Sequence, residues 1–129
     1  MAESRRRVLD VGNCDPDHGM IRRMLERHFD VEIDRVMFVD EAIDAMRQTE
    51  YTLVLVNRLI FADGSPGIEL LRLAKAEDTL AGVSIMMVSN FPEAHTASVA
   101  AGGIHGFGKA AVNSTETIGR LAALLPRRR

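Results

Sequence analysis

The scarce reactive side chains of this 129-residue chain are one cysteine, Cys14, and four histidines, His18, His28, His95 and His105. A lone cysteine excludes an internal disulfide framework and any multi-cysteine zinc site. The histidines have no ligand spacing, and His28 falls on an apolar helical stripe, so neither a zinc centre nor a catalytic triad is supported. A thiol near a lysine can act as a redox sensor through a lowered pKa; for Cys14, at the end of an apolar run, packing is the better reading. The turn Gly12-Asn13-Cys14-Asp15 matches neither the dinucleotide nor the P-loop phosphate cradle, which argues against a small nucleotide-using enzyme. Seven methionines without a tryptophan suggest adaptable packing, not a cofactor box. No catalytic residue, metal ligand or cofactor is assigned. What remains is a set of polar residues that close apolar runs: Asn13 and Cys14, Asn57, Ser89, and Lys109.

The elements that must position them alternate in kind. Val8 to Gly12 reads as a strand interrupted by Asp10, and Asp15-Pro16 as the cap and first residue of a helix. Ile21, Met24, Leu25 and His28 then recur at helical spacing. Val31 to Phe38 suits a second strand, and Asp40 caps a helix carrying Ala42, Ile43 and Met46. Tyr51 to Val56 is a nearly continuous apolar run, as in a strand covered on both faces. Asn57 ends it, a Gly/Pro-rich loop follows to Gly67, and Ile68 to Ala76 is helical. Val83 to Val88 is a fourth strand, closed by Ser89-Asn90. An alanine-rich helix from Pro92 reaches Ala101, a glycine-weakened strand runs from Ile104 to Gly108, and a last helix starts near Asn113 or Ser114. It presents Ile118, Leu121, Ala122 and Leu125 on one face. Five strand–helix units imply a parallel sheet with right-handed crossovers and helices on both faces, hence a flavodoxin-like α/β/α sandwich. Ligands in such folds meet the carboxyl ends of the strands, beside the switch in strand order. The polar set above lies at those ends.

Composition bounds the partners. The formal net charge is −2, and basic triplets sit at both ends, Arg5 to Arg7 and Arg127 to Arg129. Between them, residues 8–126 carry 10 basic against 17 acidic side chains. So acidic a body is a poor match for a phosphate backbone; the triplets could touch nucleic acid or an anionic surface, but solvated tails are the better reading, around a core of about 7–126 in one domain, 1–129. No apolar run reaches the ~18 residues of a membrane helix. A cytoplasmic setting is expected.

In order and spacing these pieces resemble a response-regulator receiver domain over nearly the whole chain. The resemblance rests on Asp15-Pro16-Asp17, Glu41-Ala42-Ile43, Tyr51 to Val56, Gly67-Ile68-Glu69-Leu70-Leu71, Val88-Ser89, and Ala101-Gly102 through Lys109. It implies a five-stranded sheet of order 2-1-3-4-5 and a role in two-component, phosphorelay-type signalling. In that family an aspartate ending the third strand accepts a phosphoryl group, an acidic pair after the first strand helps hold Mg²⁺, and a Ser or Thr and a Lys contact the phosphoryl oxygens. Ser89 and Lys109 match. The acceptor position is Asn57, the acidic pair reads Asn13-Cys14, Ala110 replaces the usual proline after the lysine, and the loop after Asn57 is about two residues longer.

The resemblance therefore implies a degenerate pocket. Asn13, Cys14, Asn57 and Lys109 sum to +1, where three carboxylates and a lysine would recruit Mg²⁺, so Mg²⁺ binding is expected to be absent or weak. A carboxamide has no anionic oxygen with which to attack phosphorus. Lys109, without an acidic partner, is expected to bond strand-end carbonyls or Asn57. The Lys109–Ala110 bond is expected to be trans, because a non-proline cis bond costs roughly 2.5–4 kcal/mol. Output is then expected through protein contacts, with a sensor kinase or output protein as partner and a homodimer as a further candidate, over a surface including Phe91, His95, His105, Phe107 and Ile118. The alternative is a sensor that binds an anion or small molecule in the vacated pocket.

Overall fold

The computed structural model describes residues 6–128; the ends of the two basic triplets, Arg5 and Arg129, lie outside them. Five strands, β1 (Arg6–Val11), β2 (Val31–Val36), β3 (Leu53–Asn57), β4 (Ile85–Val88) and β5 (Ile104–Phe107), alternate with five helices, α1 (Asp15–His28), α2 (Val39–Gln48), α3 (Ile68–Lys75), α4 (Pro92–Ala100) and α5 (Thr115–Ala122). The strands pair in parallel in the order β2-β1-β3-β4-β5. The order reverses between β1 and β3, so the crevice at their carboxyl ends is the place this topology reserves for function.

Side-chain alternation builds a core on each face. Val8, Leu53, Leu55, Met86, Val88 and Phe107 pack with Ile21, Met24 and Leu25 of α1 and Ile118 and Leu121 of α5. Leu9, Val11, Val54, Val56, Ile85 and Met87 pack with Ala42, Ile43 and Met46 of α2, Leu70, Leu71 and Ala74 of α3, and Ala94 of α4. The sheet is covered on both sides, which is why β3 reads as an unbroken apolar run.

Local chemistry fixes the helix starts. Ser114 Oγ accepts from Thr117 N at 3.2 Å and caps α5 as expected. Two starts differ by a residue from the sequence reading. Cys14, not Asp15, occupies the cap of α1, leaving Asp15 and Asp17 in its first turn, where negative charge meets the positive end of the helix dipole. Helix α2 begins at Val39, because Glu41 Oε1 accepts from the Met37 and Phe38 amides at 3.0 Å each.

Within the described residues, the basic ends are tied into the fold and are not free tails. Arg6 and Arg7 lie in β1, and Arg7 bonds both Glu32 and Asp34 on β2. Arg127 bridges to Phe29, while Arg128 donates to the His28 carbonyl through its amide and to the Glu26 carbonyl through Nε.

Candidate functional site

Alternation along β1 places Asp10 on the same face as Val8, beneath α1. There it is fully buried. Asn13 Nδ2 donates to Asp10 Oδ1 at 2.6 Å, and His18 Nδ1 lies 2.5 Å from Asp10 Oδ2. The odd polar residue of the first strand is thus the anchor that ties the strand end to the helix above it. Asn13 is fully buried, and its backbone carbonyl accepts from Arg35 Nη2 at 2.8 Å.

Asn57 ends β3 beside Val88 of β4. Its Nδ2 donates to the Gly12 carbonyl at 3.2 Å, the same oxygen that accepts from Phe61 N at 2.9 Å. The loop that follows is a small hairpin: Leu59 bridges Pro66, Ile60 N donates to Ser65 O, and Gly67 N donates to Arg58 O. Its Ile60 side chain is buried against Gly12, whose φ of +74° and close contact with Ile60 leave no room for a Cβ. The loop closes over the end of β1.

Lys109 sits in a 3-10 turn, Lys109–Ala111, and its bond to Ala110 is trans. The expectation that it lacks an acidic partner is corrected: Lys109 Nζ pairs with Asp17 Oδ2 at 2.6 Å. The lysine's hydrogen bond holds the Asp17 carboxyl below its ordinary value against the opposing effect of burial, and the Cys14 thiol bonds the same carboxylate. The +1 pocket is corrected with it, because Asp17 in the first turn of α1 neutralises Lys109. Ser89 is buried and its Oγ accepts from Phe91 N at 3.0 Å, a local turn bond. Asn57, Ser89 and Lys109 do line one cavity of about 210 Å³, together with Arg58, Leu59, Val88, Asn90 and Phe91. Asn13 and Cys14 are not among its lining residues.

These residues do not fit Mg²⁺. Asn13, Cys14 and Asn57 bring no carboxylate, while the nearby acids are engaged, Asp10 with Asn13 and His18, Asp17 with Lys109, and Asp15 with Arg35. No group of three or more His, Cys, Asp or Glu among the described residues is placed to hold a metal ion.

The expected partner surface survives only in part. Phe91 is half exposed and His105 is exposed. Phe107 and Ile118 belong to the core beneath α5, and His95 is buried. His95 points inward because Nε2 donates to the Ser89 carbonyl at 2.7 Å while its ring stacks on His105, centroids 4.8 Å apart. Sequence reading passed over the roles of Asp10, Asp17 and His18; the signal for the first was a charged residue at an inward strand position.

This topology, with its polar residues gathered at the carboxyl ends beside the order reversal, defines the three-layer fold of response-regulator receiver domains. The chain superposes on solved structures of a protein described as a response regulator from Chloroflexus aurantiacus (TM-score 0.82, 18% identity, 94% of this chain and 98% of that one), a sensor protein from Polaromonas (0.80, 18%, 94% and 96%) and a chemotaxis response regulator from Vibrio cholerae (0.72, 16%, 95% and 100%). No family model matches the sequence, and no curated protein does. At such identities the likeness is one of fold. Among the described residues no helix is long and apolar enough to cross a membrane.

Proposed function

We propose that this chain is an atypical receiver-type signalling domain that works without aspartyl phosphorylation and delivers its output through protein contacts, with no catalysis of its own. The observation that carries this reading is the end of β3. At the position where the resemblance puts a phospho-acceptor, Asn57 offers a carboxamide whose nitrogen is engaged with the Gly12 carbonyl. The acids that stand nearby are bound to cations or donors of the protein itself, so no free carboxylate recruits a metal. Partners in this reading are a sensor kinase or an output protein, or a second copy of the chain, and neither nucleic acid nor a membrane. The exposed Phe91, Val99, Ile104 and His105 on α4 and β5 supply contact area. Anion sensing at Lys109 is disfavoured because Asp17 already fills that role. The test is incubation with acetyl phosphate and Mg²⁺ followed by intact mass. The unmodified mass is expected; an acid-labile phosphoryl adduct overturns the reading.

A further inference from the structure

Lys109 has its counter-ion, whereas Arg58, one residue past Asn57, has none. Arg58 is half-buried, and among the described residues its side chain makes no hydrogen bond or ion pair; its guanidinium lies over the Phe91 ring, 4.7 Å from the centroid. It stands where two cavities meet. One is the polar strand-end cavity already described. The other, about 340 Å³, runs between the β3–α3 loop and α4, and its walls are Leu59, Pro66, Ile68, Phe91, Ala94 and Ala97 over a floor of buried Met87. Arg58, Leu59 and Phe91 line both. Glu93, exposed in the first turn of α4, is the acid of the apolar groove's rim and does not pair with Arg58.

We propose that this groove binds a small amphipathic carboxylate, its apolar part against Met87, Ile68 and Phe91 and its carboxylate on Arg58. Mostly apolar concavities of roughly 300–1,000 Å³ with a few placed polar groups are the usual form of a small-ligand site. The charge decides the ligand's class. A half-buried guanidinium with no partner asks for an anion, and its planar fork matches a carboxylate with two parallel hydrogen bonds. A phosphate dianion would call for a second free cation, and Lys109 is already paired with Asp17. Glu93 is solvated and therefore screened. This inference stands apart from the phosphorylation reading: it uses neither Asn57 nor the metal question.

The test is titration of 3-phenylpropionate into the full chain carrying labelled Met and Ile methyls, followed by NMR. Saturable shifts are expected at Met87 and Ile68 with a Kd on the order of 0.1–1 mM, ordinary for a ligand of this size. Arg58→Gln should weaken binding about 10-fold, as should replacing the ligand by 3-phenylpropanol or 3-phenylpropylamine, since each removes one partner of a charge-assisted bond. Ala97→Phe, on the exposed rim of α4, should block the groove without touching the core. Absence of shifts at about 20 mM in the folded protein, equal affinity for the alcohol, or indifference to Arg58→Gln overturns the proposal. Tighter binding of inorganic phosphate at the same methyls overturns the carboxylate assignment.

Discussion

At the carboxyl end of β1 and the start of α1, the acidic side chains meet partners within the protein: Asp10 meets His18 and Asn13, Asp17 meets Lys109, and Asp15 meets Arg35. At the carboxyl end of β3, Arg58 rests on Phe91 and pairs with no carboxylate among the described residues. The first region commits its charges to internal bonds, which hold strands to helices. The second keeps a cation that, among the described residues, contacts an aromatic face and forms no ion pair, beside an apolar groove. Internal pairing stabilises the fold, and an unpaired cation leaves binding capacity. The two regions should therefore answer mutation in opposite currencies.

The largest effect is expected at Asp10. Asp10→Ala leaves the part-buried His18 ring and the buried Asn13 carboxamide without their partner, and removing one partner of a buried polar pair costs about 3 kcal/mol. Urea denaturation should show that loss. A change below about 1 kcal/mol would mean that the buried pair does not hold β1 to α1. Next comes Asn57→Asp, which replaces a donor to the Gly12 carbonyl with an oxygen and should cost about 1–2 kcal/mol at neutral pH. Because burial against a carbonyl disfavours the ionised form, the new carboxyl's folded pKa should rise. Stability should then recover on acidification and fall as pH rises through that value. Intact mass after acetyl phosphate and Mg²⁺ should be unchanged for this variant as well, since Asn13 and Cys14 still supply no metal-binding carboxylate.

The sheet was legible because its signals are local. The unbroken Leu53 to Val56 run, the Ser114 cap and the stripe of α1 each act within a few residues. The pairings at the strand ends were not, because they join residues that only the folded topology brings together. Asp17 and Lys109 lie near opposite ends of the chain, and no periodicity links them. Likewise, Asp10 reads as an anomaly until α1 is laid over β1 and brings His18 within 2.5 Å. Two residues of the expected partner surface proved buried for a different reason. Ile118 lies on the very stripe that marks the buried side of α5, and Phe107 pairs with Val88 in the sheet, so both were core by the same alternation that defined their elements. Arg58 carries no sequence signal, since an arginine in a loop declares nothing about the absence of a counter-ion.

Asp17→Asn should have a smaller effect, about 1 kcal/mol, because the Lys109 pair is only partly buried. Its pH dependence identifies it. Asp17's folded pKa lies below its ordinary value through the Lys109 bond, so its contribution is complete above the unfolded carboxylate range and is lost as pH falls through the lowered value. The deficit of the variant should therefore be full at about pH 6 and shrink below about pH 4. A deficit that stayed constant over that range would assign the loss to packing.

The smallest stability effect is expected where the greatest binding effect is. Arg58→Gln removes one cation–aromatic contact, worth roughly 0.5–1 kcal/mol at most in a solvated setting. It strands no buried partner, because Phe91 is half exposed and remains so. The loss should also be flat between about pH 3 and pH 8, since arginine keeps its charge throughout. Denaturation of Arg58→Gln beside Asp17→Asn at the two pH extremes thus separates the regions: one variant's deficit should follow a titrating pair, the other's should follow nothing. A loss above about 2 kcal/mol for Arg58→Gln would show that the guanidinium is committed to holding the loop onto α4. Such a cation would no longer be free to receive an anion, and the contrast between the two regions would disappear.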